Sequence, residues 1–202
     1  MKFDAIVVGG SFAGLSAAMQ LVRARKHVLM VDAGRPRNRF AATSHGFLGQ
    51  DNRRPADIRA EALAQLGRYP TFTLWQDEAL TAERRIGGFH LELAEHGRAE
   101  STVLVLALGV EDTLPAIPGL AERWGRSVLH CPYCHGFEIG GGPIGILASS
   151  PLAAHQGGLL PDWGKTTMFV EPGATFDEEL SAMLSARGVA METERVVELL
   201  GE

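Results

Sequence analysis

The chain has 202 residues, 46% of them apolar, and 24 carboxylates against 19 lysines and arginines give a formal charge of −5. That mild negative balance, with no basic run, argues against a nucleic-acid partner. The longest apolar stretch, residues 103–110, is too short to cross a bilayer. The first residues lack the long apolar region and cleavage site of a signal peptide, and two cysteines cannot build a disulfide framework. The expectation is a soluble, cytoplasmic protein with no membrane partner.

Residues 3–8 form a short β-branched run of the kind buried on both faces of a parallel sheet. A glycine turn follows at 9–14. Residues 13–25 carry a helical pattern with Leu15, Ala18, Met19 and Val22 on one face, closed by Arg23, Arg25 and Lys26. A second apolar strand, 27–31, ends at Asp32, which completes a βαβ unit. Residues 34–54 show no periodicity, and loops of about 20 residues inside compact domains tend to be functional. A helix is expected at 55–66 with Pro55 at its start. Three strand-like runs, 71–75 continuing toward 82, 89–94 and 102–108, read as a β-meander separated by Gly87, Gly88 and Gly97. The prolines of 114–119 mark a linker. A second βαβ pattern follows, with strands at 144–148 and 166–170 and helices at 152–160 and 176–187. Asp177, Glu178 and Glu179 lie in the first turn of the last helix, and 189–200 reads as extended, with a helical end as the alternative. The fold class is therefore α/β, with two Rossmann-like three-layer domains at 1–113 and 114–202.

A strand–turn–helix junction can hold a pyrophosphate on the free N–H groups and positive dipole of the helix start. The usual G-x-G-x-x-G positions are here Gly9, Ser11 and Gly14, with Gly10, Phe12 and Ala13 between them. Ser11 replaces the middle glycine, and its small hydroxyl can donate to phosphate. Asp32 stands where a carboxylate accepts the ribose hydroxyls of an adenosine, and its charge opposes a 2′-phosphate there. FAD or NAD remains, and the meander after the first βαβ unit favours FAD by analogy of fold. A packing role alone for the glycines is the competing account.

Residues 130–138 read His130-Cys131-Pro132-Tyr133-Cys134-His135-Gly136-Phe137-Glu138. A C-x-x-C pair can cycle between dithiol and disulfide within one turn, and a first thiol at a helix N-terminus gains thiolate character. The adjacent imidazole can take or return the proton. Three other readings compete: attachment of a c-type haem, a zinc site, and inert buried thiols. The redox pair is preferred because a flavin site is expected in the same chain. No metal ligand set is assigned.

In this combination the sequence resembles the thioredoxin reductase family of flavoprotein disulfide oxidoreductases, near a Cys-x-x-Cys-His subgroup of dithiol oxidases. Residues 7–15 resemble its FAD-binding start, and Leu106-Ala107-Leu108-Gly109 resembles the segment that passes under the flavin. Cys131-Pro132-Tyr133-Cys134 falls where the family places its active-site disulfide. The resemblance implies that Cys134 faces the flavin, Cys131 meets the substrate, and His135 replaces an aspartate acid/base. It also implies a cofactor shell that includes Ala33, Asn38, His45, Ala79, Ala107 and Gly109, with Arg37 nearby; a solvated loop histidine at His45 and ordinary surface polarity at Arg37 and Asn38 are the competing accounts. A small dithiol or a thioredoxin-like protein would be the substrate partner, and a homodimer is the expected assembly.

One departure concerns NADPH. The second-domain glycine positions become Ala148, Ser150 and Ala153, Pro151 intrudes, and the next strand ends in Val170, Glu171 and Pro172. Glu171 would repel a 2′-phosphate. The expected function is therefore FAD-dependent oxidation of dithiols without NADPH. The alternatives are an NADPH-dependent thioredoxin reductase and a flavin-binding redox sensor without turnover. In the family the chain returns to its first domain after the second. No such segment follows residue 189, so a fragment or a shortened member is expected.

Overall fold

A computed structural model describes residues 2–149, 153–171 and 173–201. It divides into two compact units, residues 1–43 with 52–112, and residues 44–51 with 113–202. A contiguous division at 113/114 does not anticipate that residues 44–51 pack with the second unit.

The first unit opens with β1 (Lys2–Val8), α1 (Phe12–Arg23) and β2 (Val28–Val31). The expected helix end at residue 25 is corrected: Arg25 adopts a left-handed φ of 61°, and its N–H bonds Val22 O while that of Lys26 bonds Leu21 O. This crossed pair of bonds satisfies the last carbonyls and stops the helix at Arg23. After a 3-10 turn at Arg37–Phe40 comes α2 (Pro55–Leu66), where Pro55 sits in the first turn and loses no helical hydrogen bond.

The expected three-stranded meander is also corrected. Its first run divides into β3 (Phe72–Trp75) and β4 (Ala79–Arg85), followed by β5 (Gly88–Leu93) and β6 (Gly97–Leu106). The strand order is β3-β2-β1-β6-β5-β4. The first four positions pair in parallel, and β6-β5-β4 form the antiparallel meander. Alternate residues of β1 and β2 feed two cores. Val7, Val28 and Met30 face Leu15, Ala18 and Val22 of α1 and Leu66 of α2, whereas Ile6, Val8, Leu29 and Val31 meet Leu91, Leu93 and Ala99. Burial on both faces is what makes these strands read as unbroken apolar runs.

Asp77 explains the break between β3 and β4. Only 6% exposed, its carboxylate accepts the backbone N–H groups of Glu78, Glu95 and His96, and it lies 2.8 Å from His96 Nδ1. The His96 ring in turn stacks on Trp75, with centroids 4.6 Å apart. Asp77 thus ties the end of β3 to the β5–β6 turn.

The second unit contains α3 (Leu120–Arg123), α4 (Pro132–His135), β7 (Gly141–Ala148), α5 (Ala153–Leu159), β8 (Gly164–Val170), α6 (Glu178–Ala186) and β9 (Ala190–Glu192). The three strands form a parallel sheet in the order β7-β8-β9. Asp177 caps α6 by accepting Leu180 N–H at 2.8 Å, so it precedes the first turn, in which Glu178 and Glu179 lie. Ile146, Met168 and Leu184 centre the core. The expected extension of 189–200 is confined to β9. Farther on, Leu199 N–H bonds Pro118 O and returns the chain to the proline segment.

Burial pushes the Asp77 carboxyl upward, but the hydrogen bonds from His96, Glu78 and Glu95 outweigh it and hold the group at about 2, below its ordinary 3.8. Its stabilising effect is therefore complete above the ordinary value and disappears as pH falls toward the folded one. Asp77→Asn is expected to lower the urea midpoint at pH 7, with the gap to wild type closing between about pH 4 and about pH 2. A gap that is constant over that window would contradict this role.

Candidate functional site

In the first unit, Val8 of β1 is in register with Val31 of β2 and with Leu106 of β6. The residues that follow them, Gly9, Asp32 and Ala107, therefore emerge together at the carboxyl edge of the sheet. Backbone bonds hold that edge: Gly9 N–H to Val31 O at 2.8 Å and Ala107 N–H to Val8 O at 2.8 Å. No side chain fits at the three glycines. A Cβ on Gly9, whose φ is +107°, would run into the Ala107 carbonyl. One on Gly10 would meet the Asp32 carboxylate, and one on Gly14 would strike the Gly9 carbonyl. Ser11 is the extended N-cap of α1 and makes no side-chain capping bond to its first turn.

Asp32, 8% exposed, accepts Gly10 N–H at 3.1 Å through Oδ1 and pairs with the Arg59 guanidinium through Oδ2. Arg59 Nε also donates to Gly10 O at 2.9 Å. Arg59 was not singled out in the sequence. It lies one turn into α2, and nothing in its local pattern signals that it reaches the glycine turn.

The other expected cofactor residues of this unit are dispersed. Ala33 is exposed and Asn38 lies in the 3-10 turn. Arg37 makes a forked pair with Asp112, its Nε 2.8 Å from Oδ2. Ala79 opens β4 and packs against the core, while Gly109 has a φ of +69° with open space at its Cα.

The second unit holds the cysteine pair. Cys131 is the N-cap of the one-turn helix α4, with Pro132 as its first residue, and Cys134 and His135 end it. The two sulfurs lie 2.6 Å apart, so closing a disulfide of about 2.05 Å needs little movement. Both cysteines are partly buried. Burial pushes the His135 imidazole below its ordinary 6.5; the Glu138 carboxylate opposes that shift and His45 adds to it. An imidazole that directly follows Cys134 in the turn is, in its neutral form, a proton acceptor. Behind the turn, Gly136 is buried against Trp163, whose ring meets Tyr133 edge-on with centroids 5.1 Å apart.

His45 lies in the same unit, 3.6 Å from Asp51 and 3.4 Å from Glu138. Ala148 ends β7, Ala153 opens α5, and Glu171 follows β8 with its N–H on Ala148 O at 2.9 Å. The expected residues Ser150, Pro151, Leu152 and Pro172 lie outside the described residues. Among the described residues no group of three or more His, Cys, Asp or Glu side chains is placed to hold a metal ion. Nor is any helix there long and apolar enough to cross a membrane.

Residues 3–201 match the pyridine nucleotide-disulphide oxidoreductase family. The chain is 40% identical over 152 residues to the thioredoxin reductase tcpT of Claviceps purpurea, covering 74% of this chain and 47% of that protein. It is 36% identical over 192 residues to the thioredoxin reductase aclD of Aspergillus oryzae, covering 90% and 60% respectively. Among solved structures, an oxidoreductase from Agrobacterium tumefaciens superposes with a TM-score of 0.92 at 52% identity, covering all of this chain and 68% of that one. The chain thus spans about half to two thirds of the length of these relatives.

Gly136→Ala places a methyl group against the Trp163 indole and 2.6 Å from the Pro132 carbonyl oxygen. The expected outcome is a loss of about 1–3 kcal/mol in unfolding free energy, with a red-shifted tryptophan emission as Trp163 is displaced. Unchanged stability and emission would show that the turn does not depend on this contact.

Proposed function

Because the chain belongs to the pyridine nucleotide-disulphide oxidoreductase family, with a fold of Rossmann type, we propose that it is the thiol-exchanging part of a FAD-dependent enzyme that oxidises dithiols through Cys131 and Cys134. The observation that carries this reading is the pair of sulfurs 2.6 Å apart in one turn, with a partly buried imidazole next in sequence.

The residues of the first unit fit the cofactor. Gly9, Gly10 and Gly14 let the strand ends and the start of α1 pack into a tight turn, the N-terminal end of α1 offers its positive dipole to a pyrophosphate, and Asp32 offers a carboxylate to a ribose. Ser11, Phe12 and Ala13 complete the turn, with Ala33, Asn38, Ala79, Ala107 and Gly109 as the further candidates. When bound, FAD supplies a two-electron acceptor for the reduced cysteine pair.

The thiol chemistry belongs to this chain's own residues. A substrate thiolate attacks Sγ of Cys131 in the oxidised pair; the Cys131–Cys134 bond breaks and Cys134 leaves as thiolate. The second substrate thiol gives its proton to His135 and attacks the substrate sulfur of the mixed disulfide. Cys131 leaves as thiolate, the substrate departs as a disulfide, and the pair has gained its two electrons. His135 is suited to this step because burial keeps it neutral at neutral pH. Family resemblance assigns Cys134 to electron exchange with the flavin and extends the reading to a homodimer. The substrate is a small dithiol or a thioredoxin-like protein.

A second reading, an NADPH-dependent thioredoxin reductase, is favoured by the names of the fungal relatives. Ala148 at the end of β7, Ala153 at the start of α5 and Glu171 after β8 speak against it, because a 2′-phosphate there would meet a carboxylate.

With FAD added, the protein is expected to take up oxygen in the presence of small dithiols, and Cys131→Ser should abolish that uptake. Equal uptake by the variant would remove the dithiol from the mechanism, and a protein that stays colourless with added FAD would end the flavin reading. His135→Ala should slow turnover about a hundredfold or more. Micromolar NADPH without oxygen should leave the flavin absorbance unchanged; rapid bleaching would select the reductase.

A further inference from the structure

The carboxylate at the end of β2 and the glycine turn after β1 are tied together by a side chain from a third element. Asp32 Oδ1 accepts Gly10 N–H at 3.1 Å, the Arg59 guanidinium donates to Asp32 Oδ2, and Arg59 Nε donates to Gly10 O at 2.9 Å. The three residues close a ring of hydrogen bonds in which both backbone polar groups of Gly10 are held. A guanidinium can span the two acceptors because its donors form a rigid planar fork, which an ammonium group lacks. Helix α2 sets the position of that fork. Ala62, Leu63 and Leu66, three, four and seven residues after Arg59, pack with Leu15, Ala18 and Val22 of α1, so Arg59 lies on the inward side of the helix. Its side chain is 25% exposed, and that of Asp32 only 9%.

We propose that Arg59 is a positioning residue that acts through Asp32 to make the first unit selective for the 2′-hydroxyl of an adenosine ribose. This rests on the reading of the glycine turn and Asp32 as a dinucleotide site. A carboxylate has about four acceptor positions. Gly10 N–H and Arg59 fill two of them from within the protein, which leaves about two for the pair of hydroxyls on a ribose. With both oxygens anchored, the carboxylate meets the sugar in one fixed orientation. Without Arg59, a buried Oδ2 loses its internal donor and the group turns to satisfy it elsewhere. The second arm of the fork matters as well. Because the same guanidinium holds Gly10 O, the ribose acceptor keeps a fixed spacing from the turn that would receive the phosphates.

Calorimetric titration of the full 202-residue chain, freed of bound nucleotide, with ADP and with 2′-deoxy-ADP tests this. Wild type is expected to bind ADP about tenfold more tightly than 2′-deoxy-ADP, and Arg59→Met to bind the two within about twofold of each other. A turn that is merely loosened would weaken both nucleotides alike and leave their ratio unchanged, so a preserved ratio in Arg59→Met would overturn the proposal. A wild-type chain that binds neither nucleotide, or both equally, would overturn it too. Arg59→Lys keeps the charge but cannot span both acceptors, so its ratio should fall between the other two; a ratio equal to wild type would show that the fork is not needed. This second variant decides the matter if Arg59→Met fails to fold. The titration uses neither flavin nor thiol. A chain in which the ratio collapses as expected but which does not oxidise dithiols would remove the proposed function and support this inference, whereas dithiol oxidation with an unchanged ratio would do the reverse.

Discussion

Backbone at the carboxyl edge of β1 packs so closely that side chains are shut out. Gly9 lies against the Ala107 carbonyl, Gly10 against the Asp32 carboxylate, and Gly14 against the Gly9 carbonyl. A methyl group at any of the three would force apart two strands or lift α1 from the sheet. That closeness is what lets β1, β2 and β6 end at one level, and it aims the start of α1 at the space beyond them. The two apolar cores on either face of the sheet hold the strands in that register. The proposed dinucleotide site thus follows from packing before it follows from any polar contact.

The polar contacts sharpen what packing begins. Asp32 is buried at the end of β2, where an unpaired carboxylate is costly. Gly10 N–H and Arg59 both satisfy it, and Arg59 also grips the Gly10 carbonyl. A residue of α2 therefore braces the same turn whose shape the glycines permit. In the second unit the equivalent support is aromatic: Gly136 admits the Trp163 indole behind the sulfurs, and Tyr133 closes on its edge. Both turns are held by a side chain from an element that carries no motif of its own.

How much of this is legible in the sequence follows the range of the interactions. The run β1, turn, α1, β2 and Asp32 is readable because apolar periodicity and glycine spacing are local, and Pro55 marks the start of α2 for the same reason. The cysteines and His135 announce themselves within five residues. The break between β3 and β4 does not, because the partners that make Asp77 a strand terminator include Glu95 and His96, far along the chain. The stop of α1 at Arg23 depends on a left-handed arginine, a conformation that residue type does not predict. Arg59, Asp51 and the partnership of His45 with Glu138 are products of tertiary packing and leave no local trace.

The membership of residues 44–51 in the second unit has a covalent consequence. The polypeptide passes between the two units at 43/44, again at 51/52, and a third time at 112/113. They are therefore stitched together by three peptide connections where an ordinary tandem pair has one. Scission at the proline segment would leave residues 44–51 covalently attached to the first fragment and held to the rest of the second unit by packing alone. A separately expressed second half that starts at Leu114 would contain both sulfurs and His135, but would be made without His45 and Asp51. Recombining this half with a foreign first half would import that donor's version of the strap, so swaps at the linker exchange part of the redox turn's surroundings along with the nucleotide fold.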